Sequence, residues 1–362
     1  MSASMIEQSA ARLFSPNVDR ALLEQSEAGQ WPQKLWQLVV DNGLTLALAP
    51  EAAGGIGATW SEAYPILRGL GYWQVPLPLA ETMIAAQLLS LAGLDIPEGP
   101  ITIIEAGRDT TVAAAGTGLR LTGSCVRVAW AGSCRWALVS LAEGRIALVD
   151  LHQPGAVHIT PRVNTASEPS GDLRFEGAPC VAHAPNPLPA LQEPVRTLGA
   201  IAGSAMMVGA MEWLLEQSVQ YANDRVQFGR PIGKNQAIQQ ALAQMAGDVA
   251  AARVAALVAC ADAPDHAARD CVTTSFSAAV AKVRSGEAAT RAAAIAHQVH
   301  GAIGFTYEHS LHFATRRLWA WREAYGADAW WAQRLGEAAI AAGSGGFWPA
   351  ITSRHFHTGG RS

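Results

Sequence analysis

The stretch YANDRVQFGRPIGKNQAIQQALAQM, residues 221–245, decides how the chain is read, because it joins two strongly helical segments through a short turn. That turn carries Arg225, Gln227, Phe228, Gly229 and Arg230. Gly229 lets the backbone bend or approach a ligand, Pro231 fixes φ as the chain turns, and Arg225 offers a planar fork suited to phosphate or carboxylate. Phe228 sets an apolar face beside that charge. On this segment alone, a helical hairpin with Phe228 in the core and solvated arginines competes evenly with a ligand contact.

On both sides of the turn the texture is helical. From about residue 187 onward, Ala-rich runs such as VRTLGAIAGSAMMVGAMEWLLEQSVQYAND and CVTTSFSAAVAKVRSGEAATRAAAIAHQVHGAIG predict long helices whose small residues allow close packing. Upstream, ITIIEAG, TVAAAG, LRLTGSCVRVAW, RWALVSLAEGRIALVDL and HITPRV are short β-prone runs punctuated by Gly, Asp and Pro, the pattern of a barrel or sandwich. Before them, ALLEQSEAGQWPQKLWQLVVDNG keeps a helical period broken by turns. The expected fold is a mostly α, α+β multidomain chain: an N-terminal helical domain over 1–98, a middle β domain over 99–186 and a C-terminal four-helix-bundle domain over 187–362. Gly54, Gly55 and Gly57 read as a turn, since no βαβ strand precedes them and no Lys-Ser/Thr follows. The final HFHTGGRS reads as a loose tail.

Composition narrows the function. The 362 residues are 50% hydrophobic and 15% charged, which favours buried helix or subunit surface over disorder. A formal net charge of −4 with no dense Lys/Arg run argues against nucleic acid. Cys125, Cys134, Cys180, Cys260 and Cys271 are scattered, without a C-x-x-C pair, so neither a disulfide framework nor a zinc site is expected. With no signal-like start and no uncharged apolar run of about 18 residues, a cytoplasmic protein without a membrane span is expected.

A second segment, HQVHGAIGFTYEHSLHFATRRLWAWREAYG at 297–326, ends one helix at a glycine-bearing loop and begins another near Glu308. His297 and His300, and again His309 and His312, are three apart, but no H-E-x-x-H or acidic ligand pattern accompanies them. Packing, hydrogen bonding or ligand contact is the expected role, and no metal is assigned.

The order helix domain, β domain, helix bundle, together with PEAAGGIGATWSEAYPILRGLGYWQVPLPLAET, RVQFGRPIGKNQAIQQALAQMA and QVHGAIGFTYEH in that sequence, resembles the acyl-coenzyme A dehydrogenase family across nearly the whole chain. The resemblance implies an FAD lying between subunits. Arg225, Gln227 and Phe228, with Gln236 close behind, would touch a neighbour's FAD, and Gln298, Gly301 and Ala302 would add contacts. A cationic fork neutralises pyrophosphate and an aromatic ring packs on the cofactor.

The resemblance also exposes departures. Family enzymes use a glutamate to remove the α-proton while the flavin takes the β-hydride. Counting along the family pattern puts its usual position at Tyr325, a poor base at an unperturbed pKa of roughly 10. The family's second position falls near Gly199, which carries no side chain. Glu323, Asp328 and Glu193 lie nearby in sequence, with an ordinary reading as surface or capping carboxylates, and Glu323 is the weak candidate for a displaced base. No counterpart of the family's flavin-holding loop is evident between Ile101 and Gly118. The strand that usually shields the flavin reads Arg127-Val128-Ala129-Trp130, where Ala129 lacks the expected hydroxyl and Trp130 is expected in the core.

Three readings follow. The favoured one is a companion subunit of an α2β2 FAD-dependent acyl-CoA dehydrogenase, acting on an acyl-CoA thioester of steroid or bile-acid type, with an acceptor such as an electron-transfer flavoprotein and without its own catalytic glutamate. The others are a self-sufficient homotetramer with a displaced base, and a non-redox binding or scaffold protein on the same fold.

Overall fold

The computed structural model of the chain describes residues 3–107, 113–115, 118–269 and 271–354. Helices α1 (Ala3–Asn17), α2 (Arg20–Glu27), α3 (Gln33–Asp41), α4 (Trp60–Tyr72) and α5 (Leu79–Leu91) come first. α4 begins at a reciprocal cap: the Glu62 amide donates to the Thr59 hydroxyl, and the Thr59 amide donates to the Glu62 carboxylate at 2.9 Å. In the loop before it, the amides of Gly54, Gly55 and Gly57 donate to the carbonyls of Glu51, Pro50 and Ala49. Those amides are therefore spent on the turn and unavailable to a phosphate.

The strands β1 (Ile101–Glu105), β2 (Ala113–Ala115), β3 (Arg120–Ala129), β4 (Trp136–Leu141), β5 (Arg145–Asp150), β6 (Val157–Val163) and β7 (Pro169–Pro185) form one seven-stranded sheet in the order β1-β4-β5-β7-β3-β2, with β6 also paired to β7. Among the described residues, only the β1–β4 pair is parallel. β7 is the hub: its first half pairs with β3 and β6 and its second half with β5, so the sheet curls around it. Leu121, Cys125, Val139, Val149, Leu173 and Phe175 fill the inside of the curl. Ala129 closes β3, its carbonyl accepting the Thr102 hydroxyl at 2.6 Å, and Trp130 is buried as expected. Residues 108–112 and 116–117, part of the stretch searched for a flavin-holding loop, lie outside the described residues, as do 355–362 of the expected tail.

The rest of the chain is α6 (Pro194–Asp224), a hairpin of β8 (Val226–Gln227) and β9 (Arg230–Pro231), α7 (Gln236–Ala261), α8 (Thr274–His300), α9 (Leu311–Glu323) and α10 (Asp328–Ser353). α6 is the core helix, buried almost continuously from Pro194 to Met211. It meets α4 at two glycines. A Cβ on Gly71 would sit 1.7 Å from the Met206 carbonyl oxygen, and one on Gly209 would sit 1.9 Å from that of Arg68, so the two backbones touch where nothing larger fits. By length and composition, α6 and α7 each include a stretch apolar enough to cross a membrane, the α6 stretch 78% buried and that of α7 only 22%. Glu212, Asp248 and Arg253 interrupt them.

The three parts of the chain converge at Arg316 on α9. Its guanidinium donates to the Thr165 carbonyl at 2.8 Å and to the Ser167 hydroxyl, and pairs with Glu27 of α2 at 3.1 Å. One side chain thus ties α2, the β6–β7 connection and α9 together.

Candidate functional site

The segment that opened the sequence reading folds as a two-residue hairpin. Phe228 (φ 52°) and Gly229 (φ 79°) both lie in the left-handed region, the geometry of a type I′ turn. Glycine adopts it freely; phenylalanine does so at a cost of about 1 kcal/mol. Phe228 is also fully exposed, at 100%. A bulky apolar side chain held in a strained turn and given wholly to solvent is a poor folding choice, and such strain concentrates at functional sites. Of the two readings open at this turn, the one with Phe228 in the core does not hold. Arg225 is exposed beside it, and among the described residues its guanidinium has no hydrogen-bond or ion-pair partner.

The second segment lies at the same end of the bundle. Ala222 of α6, Ile232 just after the hairpin and Val299 of α8 share one buried cluster, with Tyr221, Ile238, Leu242 and Ile295 packed on it. Above this plug Arg225, Gln227, Phe228, Gln236, Gln298, Gly301 and Ala302 are all exposed. Local sequence alone placed these residues in two separate loops; the fold brings them to one surface. Among the described residues, no three His, Cys, Asp or Glu side chains converge as a metal site requires.

The expected base positions lie elsewhere and are in contact with each other. The Tyr325 ring covers Gly199: a Cβ at 199 would fall 2.5 Å from two ring carbons. Any side chain at 199, a glutamate included, is sterically incompatible with this tyrosine. Tyr325, itself at φ 56°, turns its hydroxyl inward to donate to Glu81 of α5 at 3.0 Å. Glu81 is 8% exposed, and burial pushes its carboxyl up to about 7, aided by the neighbouring Glu168 and opposed by the Tyr325 hydrogen bond. Burial first, and Glu81 second, push the Tyr325 phenol well above its ordinary value. This side chain is a hydrogen-bond donor, not a base.

Next to this pair, Arg317 (1% exposed) and Glu168 (6%) form a buried ion pair at 3.2 Å. Arg317 also donates to the Phe313 carbonyl at 3.1 Å, and Glu168 accepts from Asn164 at 2.9 Å. Lys282 donates to the carbonyls of Trp321, Arg322 and Ala324, satisfying the end of α9, while burial pulls its amine down to about 7. The nearby carboxylates are held in ion pairs: Asp328, the first residue of α10, with Arg322 at 3.2 Å, and Glu193, at the N-cap position of α6 without a side-chain capping bond, with Arg196 at 3.1 Å and Arg334 at 3.4 Å. Glu323 is exposed on α9. Sequence reasoning missed Glu81, Glu168 and Arg317. The one available signal was a lone acid in the otherwise uncharged LAETMIAAQLLSL.

Comparison with known proteins identifies the family. Residues 197–340 match the family model described as "Acyl-CoA dehydrogenase, C-terminal domain". Acyl-CoA dehydrogenase FadE27 of Mycobacterium tuberculosis is 30% identical over 313 residues, 78% of this chain and 82% of that protein. The chain belongs to the acyl-CoA dehydrogenase family. Another member, acyl-CoA dehydrogenase IpdE2 of the same organism, is 28% identical over 321 residues, 86% of this chain and 89% of its own. Among solved structures, a chain of the ChsE4–ChsE5 complex from Mycobacterium tuberculosis superposes with a TM-score of 0.82 at 25% identity, covering 94% of this chain and 97% of that one. The Tcur3481–Tcur3483 steroid ACAD G363A variant superposes equally well, with a TM-score of 0.82 at 25% identity over 95% and 98% of the two chains. Acyl-CoA dehydrogenases are flavin oxidoreductases, so family membership brings FAD into the question.

The two regions fit that cofactor differently. The exposed surface offers an unpaired guanidinium, an aromatic ring and a glycine-bearing loop, the donor set that a dinucleotide requires. The space beside Gly199, one of the two positions at which the resemblance implied a base, is taken up by Tyr325, the other.

Proposed function

We propose that this chain is the companion subunit of a hetero-oligomeric, α2β2 acyl-CoA dehydrogenase, and that its exposed surface completes the FAD site of a catalytic partner. The observation that carries the reading is the Tyr325 ring over Gly199, which leaves neither family position able to hold a base in this chain. Arg225 neutralises the cofactor's pyrophosphate, Phe228 packs on it, and Gln227, Gln236, Gln298, Gly301 and Ala302 border the same surface. Bound FAD supplies the hydride acceptor for α,β-desaturation of an acyl-CoA thioester. The base then comes from the partner. A bulky steroid- or bile-acid-derived acyl group is supported by the steroid ACAD and the two-protein ChsE4–ChsE5 complex among the structural neighbours. An electron-transfer flavoprotein is the acceptor proposed, and a cytoplasmic site the location.

The test is expression of the chain alone and together with the family member encoded beside it, followed by visible absorption and mass measurement. The isolated chain is expected to be colourless and inactive, and the pair to form a yellow, active complex. Stoichiometric FAD with full turnover in the isolated chain overturns the reading. If Glu323→Gln then abolished that turnover, the self-sufficient enzyme would take its place.

A further inference from the structure

We propose that His300 is a positioning residue, a neutral imidazole clamp that holds the Arg225 hairpin and the loop from Gly301 to His309 in one surface and lets the loop go when the imidazole takes up a proton. The inference rests on the reading of that surface as flavin-facing.

His300 lies in the last turn of α8 and is 3% exposed. One face of its ring stacks on Tyr221, centroids 4.5 Å apart at 26°. Tyr221 is one turn before the hairpin, and its carbonyl accepts the Arg225 amide at 2.9 Å. The stack therefore sits under the arginine proposed to meet the cofactor. The His309 ring, from the far end of the loop, meets His300 edge-on at 4.7 Å. Between them the loop folds back so closely that a Cβ on Gly304 would fall 2.9 Å from the His300 Cβ. His297, one turn earlier, stacks on the exposed Phe305 at 4.5 Å and lies 3.3 Å from the Thr315 hydroxyl. From α2, Arg20 donates to the carbonyls of Tyr307 and Glu308. The loop is thus held by aromatic and imidazole faces and by one guanidinium.

The hydrogen bond at Nδ1 fixes the tautomer, and the burial of the other nitrogen disfavours a second proton. His300 Nδ1 lies 2.8 Å from the Ala296 carbonyl oxygen, so Nδ1 carries the hydrogen. Nε2 is then the bare nitrogen, buried and without a hydrogen-bond partner among the described residues. A proton added there creates a buried cation with an unsatisfied donor. The groups facing the cluster offer it no compensation: Tyr221 from α6, His297 on α8, His309 in the loop and, around His309, His312 of α9 and Arg20 of α2. No carboxylate among the described residues contributes at these three rings. Burial holds His297, His300 and His309 below the ordinary histidine value. The sign follows: the clamped form is fully stable above that value and loses stability as pH falls below it, because the opened form binds the protons that the clamped form excludes.

The test uses the complex with the catalytic partner and two readouts from about pH 8 to about pH 5, a range that spans the histidine transition: the protection factors of the backbone amides of residues 301–306 against hydrogen exchange, and flavin retained after gel filtration. In the wild type both are expected to fall together as pH drops through about 6. His300→Phe keeps the stack on Tyr221 and removes its proton site, leaving only His297 and His309 to titrate, so both should fall less in acid than in the wild type. His300→Ala should lose about tenfold in each at every pH, the scale of one lost aromatic stack. Parallel pH profiles for wild type and His300→Phe overturn the clamp, as does undiminished loop protection in a folded His300→Ala. If exchange follows the expected course in a complex that holds no flavin, the clamp stands and the reading of the surface as a flavin site fails.

Discussion

The two regions that the proposed function sets against each other are opposites in construction. The hairpin at Arg225 spends almost nothing on its own fold: its guanidinium is unpaired among the described residues and Phe228 is fully exposed in a strained turn. The junction at Gly199 spends everything inward. Tyr325 covers the glycine and donates to Glu81, and Arg317 pairs with Glu168 beneath the surface. On the function proposed above, the first region is the arm that reaches a partner's cofactor, and the second, where the resemblance to the family placed a base, is given over to packing. A polar residue that faces outward without a partner is available for binding; one that is paired and buried has become part of the structure.

The contrast is sharpest in its largest expected effect. Arg317→Ala leaves Glu168 buried and unpaired and is expected to cost about 3–5 kcal/mol. Arg225→Ala, also the removal of a guanidinium, should stay within about 0.5 kcal/mol of wild type while lowering the flavin content of the complex. Urea unfolding of both variants checks the pair, and equal costs would erase the distinction between the regions. Next comes Gly199→Glu, which drives a side chain into the Tyr325 ring and should destabilise by about 3 kcal/mol. Combining it with Tyr325→Gly vacates that space, so the pair should be less costly than the sum of the two single changes, as thermal melts of a double-mutant cycle would show. Additive costs would mean that Tyr325 does not occupy the position.

The smallest effect is a pH dependence. With its folded value pushed up to about 7, Glu81 keeps a proton that the unfolded chain releases, so its contribution to stability is greatest in acid and declines as pH rises toward 7. Glu81→Gln still accepts from Tyr325 but does not titrate. Relative to wild type it should gain on the order of 2 kcal/mol between acid and about pH 8. Glu105, also pushed up to about 7 by burial, is present in both proteins and cancels. Unfolding midpoints across pH check this, and a flat difference would place Glu81 in contact with water.

Legibility from sequence followed the range of the interactions. The turn at Phe228 and Gly229 could be read because turn chemistry is local, and the long helices because their small apolar residues are continuous. β7 was not recognised as the hub of the sheet: Pro169, Gly171, Gly177, Pro179 and Pro185 break its β signal, and only pairing with β3, β5 and β6 stabilises it. Glu81, Glu168 and Arg317 are far apart in the chain and acquire meaning only when three parts of the fold meet. The resemblance to the family pointed to Gly199 and Tyr325, but it presented them as two vacancies.

The sequence by itself determined the helix–sheet–helix order, the family and the residues with no base at the expected positions, because these depend on local periodicity, turn chemistry and residue identity. Only the tertiary structure decided that the two positions share one space, that Tyr325 fills it, and that the Arg225 hairpin and the end of α8 stand on one apolar plug at the same end of the bundle. Excluded volume and burial act between residues distant in sequence, and the packed fold alone sets which of them meet.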